Sequence, residues 1–291
     1  MSVPCVSVVM PIYNAGRFLD LAIRSIRAQT LTDFEFILVD DGSTDEIDPI
    51  LVAHTAADPR LSVLRLPHGG IATALNHGVV RAQANLVAIM NGDDEAMPER
   101  LVRQVAAMRE QPNIVVLGSA AEMIDQDGRS LGRIQPTGDP ALIREQLMAA
   151  NSLAHPTVMM RRDVVLAAGG YRPIFTACED YDLWLRLSER HDLSNTPEPL
   201  LRYRIHDNQV SRRRWVLQRL QVLAAQRAAR LRRTGHPDPI QDHSRIDAAT
   251  LRAIGVPRDA ISAALAGQEA SAPPSPSSRV PLLLSHWWKS T

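Results

Sequence analysis

The chain has 291 residues, 32 basic and 32 acidic side chains, a formal net charge of +0 and 45% hydrophobic residues. That is enough for one large domain or two small ones around a sizeable core. Lys289 is the sole lysine, which excludes a Gly-Lys-Ser/Thr phosphate loop, a Schiff-base enzyme and a receiver-type domain with a lysine beside its phosphorylated aspartate. Balanced charge speaks against a dedicated nucleic-acid binder. Cys5 and Cys178 form no Cys-x-x-Cys, so neither a zinc ribbon nor a disulfide framework is expected. No basic stretch followed by an apolar core marks a signal peptide, and no run approaches the roughly 18 apolar residues of a membrane span. The expectation is a soluble, cytoplasmic protein.

Residues 6–10 (VSVVM) form a short apolar run ended by Pro11, as in a buried strand. Phe18, Ala22, Ile23 and Ile26 then recur at helical spacing. Residues 36–39, 61–66, 86–90 and 114–117 complete a set of strand candidates with helical stretches between most of them, which predicts a parallel α/β sheet. Residues 125–128 (DQDG) suit a hairpin turn between Glu122 and Ile134, residues 157–160 a strand, and 179–189 a helix. From Arg202 to Arg233 ten arginines face one acid, Asp207. Much of that stretch reads as a helix with Leu217, Leu220, Ala224 and Leu231 inward. Residues 244–254 and 257–266 read as two short helices, and 268–281, rich in proline and serine, as an unstructured linker to an apolar end at 282–288.

Three acidic pairs stand out: Asp40-Asp41, Asp93-Asp94 and Glu179-Asp180. Adjacent carboxylates repel, so a fold that gathers them usually supplies a cation or a donor-rich ligand. The first pair closes a strand and precedes Gly-Ser-Thr-Asp; a turn that caps the next helix explains it equally well. A phosphatase of the Asp-x-Asp-Gly type is excluded because Val39 stands at the nucleophile's position. The second pair follows residues 86–90, and two carboxylates at a parallel strand end suit Mg or Mn. The third opens an amphipathic segment, where acids also favour a helix N-terminus simply through its partial positive charge.

Seven segments in order carry a resemblance: VSVVMPIYNAG (6–16), FILVDDGSTD (36–45), GGIATALNHGV (69–79), NGDDEAMPERL (91–101), HPTVMMRRDVVLAAGGY (155–171), EDYDLWLRL (179–187) and YRIHDNQVS (203–211). Together they resemble family 2 glycosyltransferases over nearly three quarters of the chain. The resemblance implies a GT-A fold: a Rossmann-like, mostly parallel central sheet flanked by helices, here with a helical C-terminal extension. It implies an inverting transfer from a nucleotide sugar, usually UDP-linked, to a hydroxyl of a glycan or lipid-linked acceptor in surface polysaccharide or glycolipid synthesis. Pro11 and Tyr13 would line the nucleobase pocket, and Asp41 would accept a hydrogen bond from the base. Gly70 and Asn76 would complete the nucleotide pocket, and Asp93 would approach the ribose. Asp94 would bind the Mn or Mg that bridges the diphosphate, Asp180 would be the catalytic base, and His206 is a candidate for metal or diphosphate contact. His155 falls near the acceptor or serves the structure. Many relatives carry Asp where this chain has Asn91, but the two following carboxylates remain.

The implied boundaries are a catalytic domain at 1–211, a helical extension at 212–267 and a tail at 268–291. A non-catalytic nucleotide-sugar binder on the same fold is the alternative; intact Asp94 and Asp180 speak against it. A nucleotidyltransferase would want a Gly-rich, Lys-bearing loop after the first strand, and residues 11–16 hold one glycine and no lysine. The arginine-rich stretch carries a local charge of about +9. It reads either as a solvated helix face or as a peripheral contact for an anionic membrane, with Trp287 and Trp288 beside Lys289 as interfacial anchors.

Overall fold

The computed structural model describes residues 3–206 and 214–266. Its first part alternates strand and helix: β1 (Val6–Ile12), α1 (Gly16–Arg27), β2 (Phe34–Asp40), α2 (Asp48–Ala57), β3 (Leu61–Arg65), α3 (Ile71–Arg81) and β4 (Leu86–Ile89). The short β5 (Glu95–Ala96) and α4 (Arg100–Glu110) follow, then the hairpin β6 (Ile114–Ile124) and β7 (Ser130–Ile134). Next come α5 (Pro140–Gln146), a 3-10 turn at His155–Thr157, β8 (Met159–Arg161), α6 (Arg162–Ala167), α7 (Glu179–Leu187) and β9 (Asp192–Arg204). Three helices close the described chain: α8 (Trp215–Arg233), α9 (Ala248–Ala253) and α10 (Arg258–Leu265).

One sheet runs in the order β3-β2-β1-β4-β8-β6-β9-β5, with β7 beside β6. β1 to β4 are mutually parallel. β8 runs against both β4 and β6, and β9 is parallel to β6. Six strands therefore point one way and β5, β7 and β8 the other, so the sheet is mostly parallel, as expected.

Pleating explains why the central strands are apolar throughout. Val9, Ile37, Val39, Val87 and Ile89 face one layer with Leu75 and Val79 of α3, Trp184 of α7 and Ala224 of α8. Val8, Met10, Phe36, Leu38 and Ala88 face the other, with Leu19 and Ile23 of α1 and Leu101 and Val105 of α4. A strand covered on both faces has no polar side to show, which is why these segments read as continuous runs. α3 lies unusually close to β1: a Cβ on Gly78 would sit 2.3 Å from Val9 Cγ1.

Two elements differ from their sequence expectations. Thr157 belongs to the 3-10 turn, and the strand begins at Met159, because Pro156 inside that turn cannot donate to a ladder. In α8 the inward face is Leu220, Gln221, Ala224, Ala225, Gln226, Ala228 and Ala229, while Leu217 and Leu231 are half-buried. Small alanines allow α8 to lie close against α7. The expected linker and apolar end, with Trp287, Trp288 and Lys289, lie outside the described residues, as do Asp207, Arg212 and Arg213.

Candidate active site

Ligands of open α/β sheets sit beyond the carboxyl ends of the strands, and the sequence-predicted residues gather there in three groups. The first lies after β1 and β2. The aspartate pair divides its labour: Asp40 Oδ1 accepts the Ser43 amide at 2.9 Å and closes the turn. Asp41, 2% exposed, accepts the Gly69 amide on Oδ1 at 2.8 Å and the Gly70 amide on Oδ2 at 2.9 Å. A carboxylate has about four lone-pair sites, so Asp41 keeps acceptor capacity for a ligand. Gly70 has φ +87° and caps α3, a backbone that disfavours a side chain. Tyr13 is 48% exposed and stacks on the His68 ring, with centroids 4.1 Å apart and planes inclined by 21°. Pro11 is half-buried, in register with Val39 at the end of β1. Asn14 staples the two loops: its Oδ1 accepts the Thr44 amide at 2.8 Å and its own amide donates to Ser43 Oγ at 3.1 Å.

The second group lies after β4. Asp93 Oδ2 is 3.0 Å from Nε2 of His206, just past β9, and the His206 ring lies 5.2 Å from Phe18 of α1. Asp94, 1% exposed, accepts the Arg204 amide on Oδ1 at 2.8 Å and the Asn91 side chain on Oδ2 at 3.3 Å. Burial first, and then repulsion from Asp93, push its carboxyl well above the usual range. Gly92 makes room for the loop, since a Cβ there would sit 3.2 Å from the Ala15 Cβ. Among the described residues no three His, Cys, Asp or Glu side chains converge as a preformed metal cage.

The third group surrounds the start of α7. Glu179 and Asp180 occupy its first turn. Burial raises Glu179 to about 8, helped by the Asp180 charge, and raises Asp180 to about 6 against the opposing pull of the Tyr181 amide and the Asn151 side chain. Four residues on, Trp184 is fully buried, and its indole N–H has no hydrogen-bond partner among the described residues. His155 is held neutral, its pKa lowered to about 3 by burial, with Nε2 3.0 Å from the Tyr171 hydroxyl. Burial also pushes the Cys178 thiol up, leaving it un-ionised.

Asn76 belongs with this third side. Its Oδ1 accepts the Tyr171 amide at 2.8 Å and its Nδ2 donates to the Tyr171 carbonyl at 2.7 Å. Both ends of its amide are committed to that backbone, so α3 joins the Asp41 loop at its N-terminus to the loop leading into α7.

The profile of Glycosyl transferase family 2 matches residues 7–167, more than half of the chain. The chain belongs to this family. It is 34% identical over 206 residues to the O-antigen biosynthesis glycosyltransferase WbnJ of Escherichia coli, covering 69% of this chain and 80% of that one. It is 32% identical to the amylovoran biosynthesis glycosyltransferase AmsE of Erwinia amylovora over 72% of this chain and 79% of that one. Among solved structures, TarS 1–349 of S. aureus in complex with UDP superposes with a TM-score of 0.60 at 18% identity, covering 91% of this chain and 72% of that one. The mannosyltransferase PcManGT of Pyrobaculum calidifontis, in complex with GDP-Man and Mn2+, gives 0.59 at 17%, covering 95% and 78%. The fold is thus the GT-A type.

Within this glycosyltransferase 2 chain, the structure adds residues that sequence reasoning missed. His68 covers Tyr13, with Nδ1 2.9 Å from Asp41 Oδ2. Arg204, 2% exposed, pairs with Glu95 and donates to the Asp93 carbonyl at 2.9 Å. Asn151 holds Asp180 through Nδ2 at 2.9 Å. Each acts across a long sequence separation, which local pattern does not reveal. The arginine-rich stretch is largely engaged internally: Arg202 pairs with Glu95 and Glu122, and Arg232 with Glu189 and Asp238. Arg227 donates to the Ile254 carbonyl and Arg233 to Ser188 Oγ.

Proposed function

We propose that the protein is an inverting glycosyltransferase that moves a sugar from a nucleotide-sugar donor, UDP-linked, to a hydroxyl of a glycan or lipid-linked acceptor in surface polysaccharide synthesis. The observation that carries the reading is Asp180: a half-buried carboxylate at the start of α7, fixed on both oxygens and raised to about 6. A base with a pKa just below neutrality is ionised at pH 7 yet still basic enough to take a proton in the transition state. The acceptor oxygen attacks the anomeric carbon as Asp180 removes its proton. The bond to the diphosphate breaks, and the nucleoside diphosphate departs with the electron pair. One displacement inverts the configuration, and no covalent nucleophile is needed.

Asp41 and the Tyr13 ring would receive the base, and Asp93 the ribose. The polysaccharide-biosynthesis names of the similar WbnJ and AmsE, and the UDP and GDP-Man bound by the structural neighbours, support the donor and acceptor classes. Asp94 suits a divalent cation, since a carboxylate is a hard ligand and burial disfavours its uncompensated charge, and His206 beside Asp93 is a borderline ligand close to the same loop. Asp94, with a contribution from His206, would hold Mn or Mg, which when bound would neutralise charge on the leaving diphosphate.

The deciding experiment is nucleotide release from UDP-, GDP- and dTDP-sugars with and without Mn2+. Turnover that requires Asp180 establishes the reading; tight nucleotide binding without turnover on any donor establishes the non-catalytic binder instead. No helix among the described residues is long and apolar enough to cross a membrane. Peripheral contact of exposed Arg214 and Arg230 with an anionic surface is the narrower reading, tested by sedimentation with anionic and neutral vesicles at low and high salt.

A further inference from the structure

Between α5 and β8 the chain forms a buried, irregular strap. Three groups from different elements fix it. The Tyr181 hydroxyl of α7 donates to the Leu147 carbonyl at 2.5 Å, Gln226 Nε2 of α8 to the Ala149 carbonyl at 3.0 Å, and Asn195 Nδ2 of β9 to the Ser152 carbonyl at 3.1 Å. At its middle sits Asn151, 5% exposed. Asn151 Oδ1 accepts the Leu153 amide at 3.1 Å, and Nδ2 donates to Asp180 Oδ2 at 2.9 Å. A backbone N–H can only donate, so the oxygen end of the side chain is assigned to Leu153 and the donor end must face the carboxylate. The other carboxylate oxygen, Oδ1, accepts the Tyr181 amide at 2.7 Å.

We propose that Asn151 is a positioning residue for glycosyl transfer: it locks the Asp180 carboxylate in one orientation and stabilises its charged form, leaving an Oδ2 lone pair for the acceptor's proton. The inference rests on the reading of Asp180 as the base. It explains why a buried amide is anchored at both ends in a segment with no regular structure: a half-buried base free to rotate would be aligned with the acceptor only part of the time.

The electrostatic surroundings make this donor matter. Glu179 and Cys178 share the turn with Asp180, and Tyr171 faces it from the preceding loop. Arg214, before α8, acts on Glu179. Burial raises Asp180, and the Tyr181 amide and Asn151 are what pull it back. A hydrogen bond to a charged group corresponds to about 1–2 pH units of titration midpoint.

The test is carboxyl NMR of protein labelled with 13C at the aspartate side chain, with the Asp180 signal identified by its loss in Asp180→Asn. Asn151→Ala should raise the midpoint by about 1–2 units. Asn151→Asp keeps an acceptor for the Leu153 amide, and so the local fold, but replaces the donor with a like charge; its shift should be larger. Gln226→Leu loosens the same strap without touching the carboxylate, and should lower Tm while leaving the midpoint in place. With the donor that turns over, the acid limb of kcat should move upward in Asn151→Ala with little change in donor KM. An unmoved midpoint in folded Asn151→Ala and Asn151→Asp overturns the proposal. Undiminished turnover in Asp180→Asn would instead remove the base reading itself, a separate result.

Discussion

Asn76 separates two accounts of the site, and Asn76→Ala tests them. The family pattern puts this residue in the nucleotide pocket, whereas its amide here closes a two-point clasp on the backbone of Tyr171. Tyr171 is 0% exposed, so truncation strands a buried N–H and a buried C=O. Each net hydrogen bond is worth about 1 kcal/mol and a stranded group about 1–3 kcal/mol. Asn76 itself is only half-buried, and water entering the vacated space recovers part of that, leaving about 2–3 kcal/mol. For a domain of this size the fall in Tm is about 5–10 °C. Differential scanning calorimetry measures it, and isothermal titration of UDP in Mn2+ measures the nucleotide side. The expected result is a lower Tm with nucleotide affinity retained. An unchanged Tm with affinity lost would refute the clasp and return Asn76 to the nucleotide.

Asp94→Asn should abolish transfer and the Mn2+ dependence of UDP binding while leaving Tm nearly unchanged; full activity would sink the assignment. The Asp180 carboxyl, raised to about 6, should give kcat/KM an acid limb, falling as pH drops through about 6 while the base takes up its proton. Because the folded carboxyl binds its proton more tightly than an exposed one, its ionisation costs stability as pH rises through about 6. Asp180→Asn should therefore remove this group's share of the fall in Tm between pH 4 and pH 8, at the cost of turnover and without loss of donor binding. Gly78→Ala gains about 1 kcal/mol of helix propensity. Its Cβ would meet Val9 Cγ1 at 2.3 Å, an overpacking of about 1–3 kcal/mol, so Tm should fall; a rise would mean that α3 and β1 part freely.

What was legible in the sequence was what local pattern encodes. Continuous apolar runs marked β1, β2 and β4 because both faces of those strands are covered, and the Asp125–Gly128 turn marked the β6–β7 hairpin, with Glu122 opposite Arg133. β9 hid its length. Pro197 and Pro199 interrupt the run, yet the strand continues from Asp192 to Arg204 by shifting register against β6 around Ser119 and Ala120. The antiparallel β8, three residues long, has too few side chains for any period to show. At the site, strand-end carboxylates announced themselves by pairing. Asn151 did not, and Asn76 stood out only within a family-like segment and not as a clasp, because a lone asparagine looks the same whether it caps a turn or clamps a backbone 95 residues away.

The family model matches residues 7–167, and Asp180 lies beyond that match. The elements beyond are wired to one another. Arg172 bridges Asp182 of α7 and Asp238, Arg186 joins Asp182, and Arg232 joins Glu189 and Asp238. Gln221 of α8 accepts the Ala177 amide and Gln218 donates to its carbonyl. Every charge in that web sits between 172 and 238. For anyone building hybrid enzymes, the exchangeable unit therefore begins after α6 and includes α8. A splice at 211 would cut the two ion-pair links that cross it, Arg172 to Asp238 and Arg232 to Glu189, while Arg172 keeps Asp182 and Asp238 keeps Arg232. A graft spanning 168–266 carries the whole web with it, and has to match its host along β9, which pairs with β6 and β5, as well as at the clasps made by Asn76, Asn151 and Leu147.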